Sequence, residues 1–452
     1  MLRSSRSGHV GVRYYGHIRS TRDTGLVGQQ YSWLTTIFFL VYMCSEFPSN
    51  IILQRWGMGK TLSIYVICWG VVVLCTGFAK NFKHLIALRA LQGLFECCLI
   101  PGFILIIGGW YTRREQSSRI LVFQSAGSGF GVIALLALYG IGTIGSDGKG
   151  SQPWRYMSYL LGPLTVAIGA LCLYVLGTPS DVPWLTKEEK RMANTRILEN
   201  QSGHDKTSTI EWKWYQVRDC LVDPCFYFSA FNTLLVAVPA GGLTAFGSII
   251  NASFGFTPLQ VILYSIPQEI VCVASLVIAG LVTSRWKNLR LYIMAITTIP
   301  AIVGFLCIAL IETKESTKWT KWGMYCMLTP AVLTAILGWT LIPANVPGHT
   351  KRTVTSSFTF VCGCVGNMCG SQIFKSKEAP TYTSGVIGCS ICFVLDLLVI
   401  VAWRVTLALR NRHRDKVMRT DGLTEEERKT QGQINGESDM TDFENTHFRY
   451  TM

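Results

Sequence analysis

Arg89, Gln92, Gly93 and Glu96 recur at three- and four-residue spacing, so they share one face of a helix. That face carries a guanidinium near one end and a carboxyl about two turns deeper. A guanidinium grips an anionic group bidentately, and a desolvated glutamate can carry a proton. The same pair also suits a static interhelical ion pair that only positions helices. Further charges, Glu46, Glu269, Asp396 and Arg404, lie inside apolar stretches. Each is costly in hydrocarbon and must face protein or a cavity. Glu46, just before Pro48-Ser49-Asn50, is read as bonding a neighbouring helix or terminus. Asp396 and Arg404, in the last apolar stretch, are read as structural. Asn232, Asn345 and Asn367 are uncharged, and either interhelical bonding or substrate contact suits them. Of the seven histidines only His84 and His349 approach the apolar stretches, both at ends. No metal box or histidine-based catalysis is visible, so an enzyme is not expected and no cofactor is called for.

The elements that must hold these residues follow from composition. The chain is 49% hydrophobic and only 15% charged, whereas a soluble domain carries about a quarter charged residues. Apolar stretches of spanning length recur near 32–54, 61–79, 84–111, 118–143, 155–177, 224–249, 258–283, 290–311, 322–346, 354–374 and 382–409. Lipid offers backbone groups no partner, so these eleven stretches are expected to be helices of an all-α polytopic membrane protein. The sixteen cysteines lie mostly inside them as small apolar residues, and Cys389-x-x-Cys392 has no second pair with which to bind metal. The net charge of +14 is spread over short loops, which suits lipid headgroups rather than nucleic acid.

Alternating the loops between two sides puts Arg55, Lys60, Arg285, Arg290, the polar stretch 178–223 and the tail 411–452 on one side. The other side carries lysines such as Lys80, Lys149, Lys314 and Lys377. The first side is therefore expected to be cytoplasmic. The cations at its helix ends, Arg55, Arg113, Arg114, Arg119, Arg285, His349, Lys351 and Arg352, with Glu115 among them, are the candidates for latching an inner gate. Thr186 with Glu189, and Thr424 with Glu427, have capping-box spacing and predict short surface helices.

The polar stretch 178–223 divides the chain into 32–177 before it and 224–410 after it. "NIILQRWGMGK" and "GLVTSRWKNLR" set an Arg-Trp pair at equivalent helix ends of the two parts, and "WYTRREQSSR" and "GHTKRTVTSS" occupy equivalent loops. Two homologous six-helix halves of this kind are the architecture of major facilitator transporters, which rock one half against the other. The first part offers only five spans, and the basic arm 1–31 contains none. We expect the first helix of the fold to be missing from this chain, through a mis-set start or exon. Gly127-Ser128-Gly129-Phe130-Gly131 and Gly366-x-x-x-Gly370 lie inside spans and are read as packing faces.

"RALQG" at 89–93 resembles the fourth-helix motif of major facilitator proteins. "SEFPSNIILQR", "GLFECCLIPGFILIIGGWYTRRE", "WLTKEEK", "GLTAFGSIINASFGF", "NVPGHTKRTVTSSFTFVCGCVGNMCGSQIFKSKEAPTY" and "DMTDFENTHFRY" resemble the fungal allantoate permease family, the anion:cation symporter branch. The resemblance covers about residues 24–452. It implies a proton-coupled permease of the plasma membrane for a small organic anion such as allantoate, ureidosuccinate, nicotinate, pantothenate, another vitamin or a short peptide. It also implies a central cavity lined by Arg89, Gln92 and Glu96 from the first half and by Asn232, Asn345 and Asn367 from the second. Asn50 and Gln54 stand where the facilitator loop motif usually has a glycine and an aspartate, so its inner charge latch is expected to be reorganised. A monomer is expected. The competing reading is a non-transporting nutrient sensor or an inactive, truncated permease.

Overall fold

A computed structural model describes residues 29–111, most of 126–143, 153–179, 181–193, 212–286, 288–420, 440–445 and 448–452. Among these, the regular structure is helical throughout. The first part contains α1 (Gln30–Trp56), α2 (Met58–Thr76), α3 (Phe82–Glu96), α4 (Leu99–Trp110) and α5 (Pro153–Val175). Residues 126–127 and 129–137 are also helical. A short α6 (Trp214–Val222) leads into α7 (Pro224–Ser253), α8 (Pro258–Arg285), α9 (Arg290–Leu310), α10 (Lys318–Cys326), α11 (Val332–Asn345), α12 (His349–Ile373) and α13 (Thr383–Thr420).

Nine helical segments among the described residues are long and apolar enough to cross a bilayer, each matching one of the eleven expected spans. The tenth, 354–374, is present as α12, whose first turns carry Thr350, Lys351, Arg352 and Thr353 and dilute its apolar character. The eleventh, 118–143, falls partly outside the described residues.

Helix starts have local causes. Asp223 caps α7 by accepting from the Cys225 amide, with Pro224 in the first turn. Thr257 and Gln260 form a capping box ahead of α8. The expected box at Thr186 is also formed: its amide donates to Glu189 Oε2 at 2.9 Å, and the Glu189 amide donates back to Thr186 Oγ1 at 3.3 Å. The box expected at Thr424 lies outside the described residues.

Helices within each part pack on one another. In the first, α2 lies along α5 and α1 along α3; in the second, α12 lies along α7 and α13 along α9. Small residues allow the closest approaches. A β-carbon on Gly93 would strike the Phe38 carbonyl of α1, and one on Gly370 would strike the Val238 carbonyl of α7. Gly366 likewise sits against Leu234 and Ala237. The small-residue face at 366–370 is thus a packing face. Gly127 and Gly129 have open space beside them among the described residues, whereas Gly131 lies near Glu269 of α8.

The seam between the parts is made chiefly where α1 meets α12. Tyr42 stacks on Phe360 with ring centroids 5.8 Å apart. Toward the start of α1, Tyr31 donates to the Ala245 carbonyl at 3.0 Å, Gln372 Nε2 donates to Thr36 Oγ1 at 2.7 Å, and Thr36 shares a 3.2 Å hydrogen bond with Ser371.

Candidate functional site

The face read from spacing exists on α3. Arg89 is exposed, and its Nη1 donates to Gln92 Oε1 at 3.2 Å. Gly93 is buried against α1, which holds this face beside the seam. Glu96 is half-buried at the end of α3, near Trp69 of α2 and Tyr42 of α1. The guanidinium keeps donor N–H groups beyond the one given to Gln92, so it can still grip an anion. Glu46 lies on α1, one turn after Tyr42 and within electrostatic reach of Cys97 and Cys364. Among the described residues, its Oε2 is buried and makes no hydrogen bond, and the same holds for Asn50 Oδ1. The neighbour bond expected for Glu46 is not made at this oxygen.

The second-half asparagines behave differently. Asn232 is fully buried and donates to Asp396 Oδ1 at 2.8 Å. Asn345 is buried and holds the tail in both directions: its Nδ2 donates to the Thr451 carbonyl at 2.8 Å, and its Oδ1 accepts from the Thr451 amide at 2.8 Å. Both side chains donate to protein partners, although Asn232 Oδ1 is buried without a hydrogen bond among the described residues. Asn367 donates to the Gly363 carbonyl of its own helix at 2.9 Å and is only half-buried, so its amide oxygen is the freest of the three. Asp396 and Arg404 take structural positions: the first accepts from Asn232, and the second donates to Tyr292 at 3.3 Å and Met452 at 2.7 Å.

The cations proposed for a gate divide in the same way. Arg113, Arg114, Glu115 and Arg119 lie outside the described residues. Arg55 and Arg285 are exposed at the ends of α1 and α8. His349 is exposed in the first turn of α12, and Arg352 Nε donates to the Val346 carbonyl at 3.2 Å. Lys351 is wholly buried between two carboxylates, at 2.7 Å from Asp223 Oδ2 and 2.5 Å from Asp442 Oδ1. Arg410 completes the cluster at 2.8 Å from Asp223 Oδ1. Burial alone would raise the Asp223 carboxyl, but Lys351 and Arg410 outweigh it and hold the group below the usual carboxylate range.

This cluster shows what the polar tail does. Residues 440–445 and 448–452 fold back onto the ends of α7, α11, α12 and α13. Tyr450 donates to Asp442 Oδ2 at 2.5 Å and exchanges 3.0 Å hydrogen bonds with Asn411. Arg414 donates to the Phe448 carbonyl, and Phe443 lies under the Lys351 ammonium at 4.3 Å. From α6, Gln216 Oε1 accepts from the Thr350 and Lys351 amides, which satisfies the open start of α12. Sequence reasoning treated the tail only as a family-like segment. An Asp, a Tyr and a Thr in a polar stretch give no sign of which buried cations they meet.

Two packed sets of spanning helices, with an exposed arginine and unpaired acceptors beside their seam, define an integral membrane transporter. The Major Facilitator Superfamily model matches residues 18–371, and the chain belongs to that superfamily, whose members move solutes rather than transform them. It is 28% identical to the allantoate permease of Saccharomyces cerevisiae over 95% of this chain and 79% of that protein. It is also 30% identical to a thiamine pathway transporter of the same yeast, over 94% and 78% of the two chains. These relatives agree with the resemblance to the fungal allantoate permease family. Among solved structures, the xylose transporter XylE from E. coli, in a partially occluded inward open conformation, superposes with a TM-score of 0.64. That match covers 87% of this chain and 94% of that one at 11% identity, and it shows the fold.

Proposed function

We propose that this transporter takes up a small organic anion, such as allantoate, nicotinate, pantothenate or another vitamin carboxylate, together with a proton across the plasma membrane. The carrying observation is Arg89, an exposed guanidinium on a spanning helix beside the seam, with donors left after its bond to Gln92. An arginine is too costly in a bilayer to be kept exposed there without an anionic or aqueous partner. Residues 32–177 and 224–410 act as the two moving halves, and 178–223 joins them on the cytoplasmic side together with the tail. The contacts of Tyr31, Thr36, Ser371 and Gln372 then close the outer end of the seam, and the anion leaves inward along Arg89 and Gln92. Asn367 faces them from the second half. The working unit is the monomer.

Uptake of labelled allantoate, nicotinate and pantothenate by cells expressing the chain, with and without a protonophore, tests this reading. Uptake of one of them that collapses with the protonophore supports it. Uptake insensitive to the protonophore removes the proton, and preference for a neutral or cationic solute removes the anion.

A further inference from the structure

We infer that Glu46 is the residue that binds the coupling proton, with Asn50 as its acceptor. This rests on the proposed symport and names the proton's place in it. Glu46 and Asn50 are four residues apart and so are neighbours on one face of α1, the helix that meets α12 across the seam. Glu46 Oε2 and Asn50 Oδ1 are both buried acceptors without a hydrogen bond among the described residues. Two orphan acceptors side by side lack one thing, a hydrogen to share. A proton on Glu46 supplies it: the O–H donates to the asparagine oxygen, and the carboxyl loses its charge in the same step.

Among the described residues, the surroundings hold no cation that would neutralise Glu46 instead. Around Glu46 stand Tyr42 on α1 itself, Glu96, Cys97 and Cys98 from the α3–α4 break, Tyr65 from α2 by way of Ser49, and Cys364 from α12. Helix α7 reaches α1 at Tyr31, well away from Glu46. None of these groups is a cation. Tyr65 donates to Ser49 Oγ at 3.0 Å and Cys97 donates to the same oxygen at 3.3 Å, so these two hydrogens are directed at Ser49 rather than at Glu46. Glu96, by contrast, feels Arg89 on its own helix face. Asp396 Oδ2 and Asn232 Oδ1 are likewise without a partner among the described residues, but Asn232 already donates to the other Asp396 oxygen and the pair lies between α7 and α13, away from the seam.

The position suits coupling. Tyr42 and Glu46 lie where α1 faces Phe360 and Cys364 of α12, so rocking one half against the other changes the water access of this carboxyl. The proton is taken from water on the side to which the seam is open and returned to water on the other side. Only the carboxyl O–H bond is made and broken.

Infrared spectra of the purified full chain in lipid, recorded between pH 5 and 8, test the site without any substrate. A protonated-carboxyl band that varies with pH is expected in the wild type, in Glu96→Gln and in Asp396→Asn, and is expected to be lost in Glu46→Gln. Persistence of the band in Glu46→Gln, or its loss in either of the other variants, overturns the assignment. In proteoliposomes, Glu46→Gln is expected to retain exchange of labelled anion but to lose accumulation driven by a pH gradient. Undiminished accumulation, or accumulation driven by sodium instead, also overturns it. If the wild-type chain moves none of the three labelled anions, the proposed substrate class fails, while the infrared band still decides whether Glu46 binds a proton.

Discussion

The tail cluster and the α1 face beside the seam handle buried polarity differently. In the cluster, Lys351 and Arg410 lie against Asp223 and Asp442, and Asn345 is matched donor for acceptor by Thr451. Beside the seam, Arg89 spends one donor on a neighbouring glutamine, while Glu46 and Asn50 each keep a buried oxygen without a partner among the described residues. Satisfied polar groups fix a structure, whereas unsatisfied ones wait for a ligand or a proton. The contrast teaches where to look for transport chemistry: beside the seam, away from the cluster that holds the tail.

The sharpest way to break the contrast is Lys351→Met. It leaves Asp223 and Asp442 facing each other in a buried site, and removing one partner of such a cluster costs about 3–5 kcal/mol. The expected result is a large drop in the melting temperature and yield of the purified chain. An unchanged melting temperature would mean that the cluster does not hold the second half together.

Arg89→Gln makes the opposite demand, large in transport and small in stability. Hydrogen bonds to a charged group are worth about 1.5–3 kcal/mol, so anion affinity should fall about 10- to 100-fold. The melting temperature should stay near that of the wild type, because Arg89 is exposed. A collapse of folding in this variant would place Arg89 with the structural residues.

Asn345→Ala removes both hydrogen bonds to Thr451 and should cost about 1–2 kcal/mol, measured by thermal melting and by faster proteolysis of the tail. Uptake per folded molecule should not change. A selective loss of substrate affinity would return Asn345 to the cavity.

The smallest effect expected is that of pH on the cluster. Asp223 has a lowered pKa in the fold, so the stability it contributes is present above the unfolded carboxylate value of about 3.9 and is lost as pH falls through the lower folded value. Melting followed between pH 5 and 7 should show no contribution from this group. A marked loss of stability within that window would mean that its pairing with Lys351 and Arg410 is weaker than the geometry indicates.

Much of the fold was legible because lipid makes a sequence declare itself. Apolar length marks spans, and three- and four-residue spacing put Arg89, Gln92 and Glu96 on one face without reference to any other helix. The Thr186–Glu189 box was legible for the same reason, since both partners lie within one turn. What could not be read were pairings over long separations. Asn345 and Asn367 look alike in sequence, each a lone amide in an apolar run, yet one grips Thr451 and the other bonds its own helix. Lys351 looked like an exposed gate cation because its carboxylates are far away in the chain, Asp223 before the second half and Asp442 after it. Glu46 was read as paired because most buried carboxylates are, and only the geometry shows one oxygen left over.

The strap formed by residues 440–445 and 448–452 also sets an order of events in biosynthesis. Every membrane helix described here is translated before it, so the second half enters the bilayer while Lys351 and Arg410 share Asp223 alone. The second carboxylate arrives only after the ribosome has passed residue 442, and the grip on Asn345 only after residue 451. A nascent chain halted in the polar stretch before residue 440 would carry every described span of residues 224–410 and still leave the cluster uncovered, a mark that quality control can read.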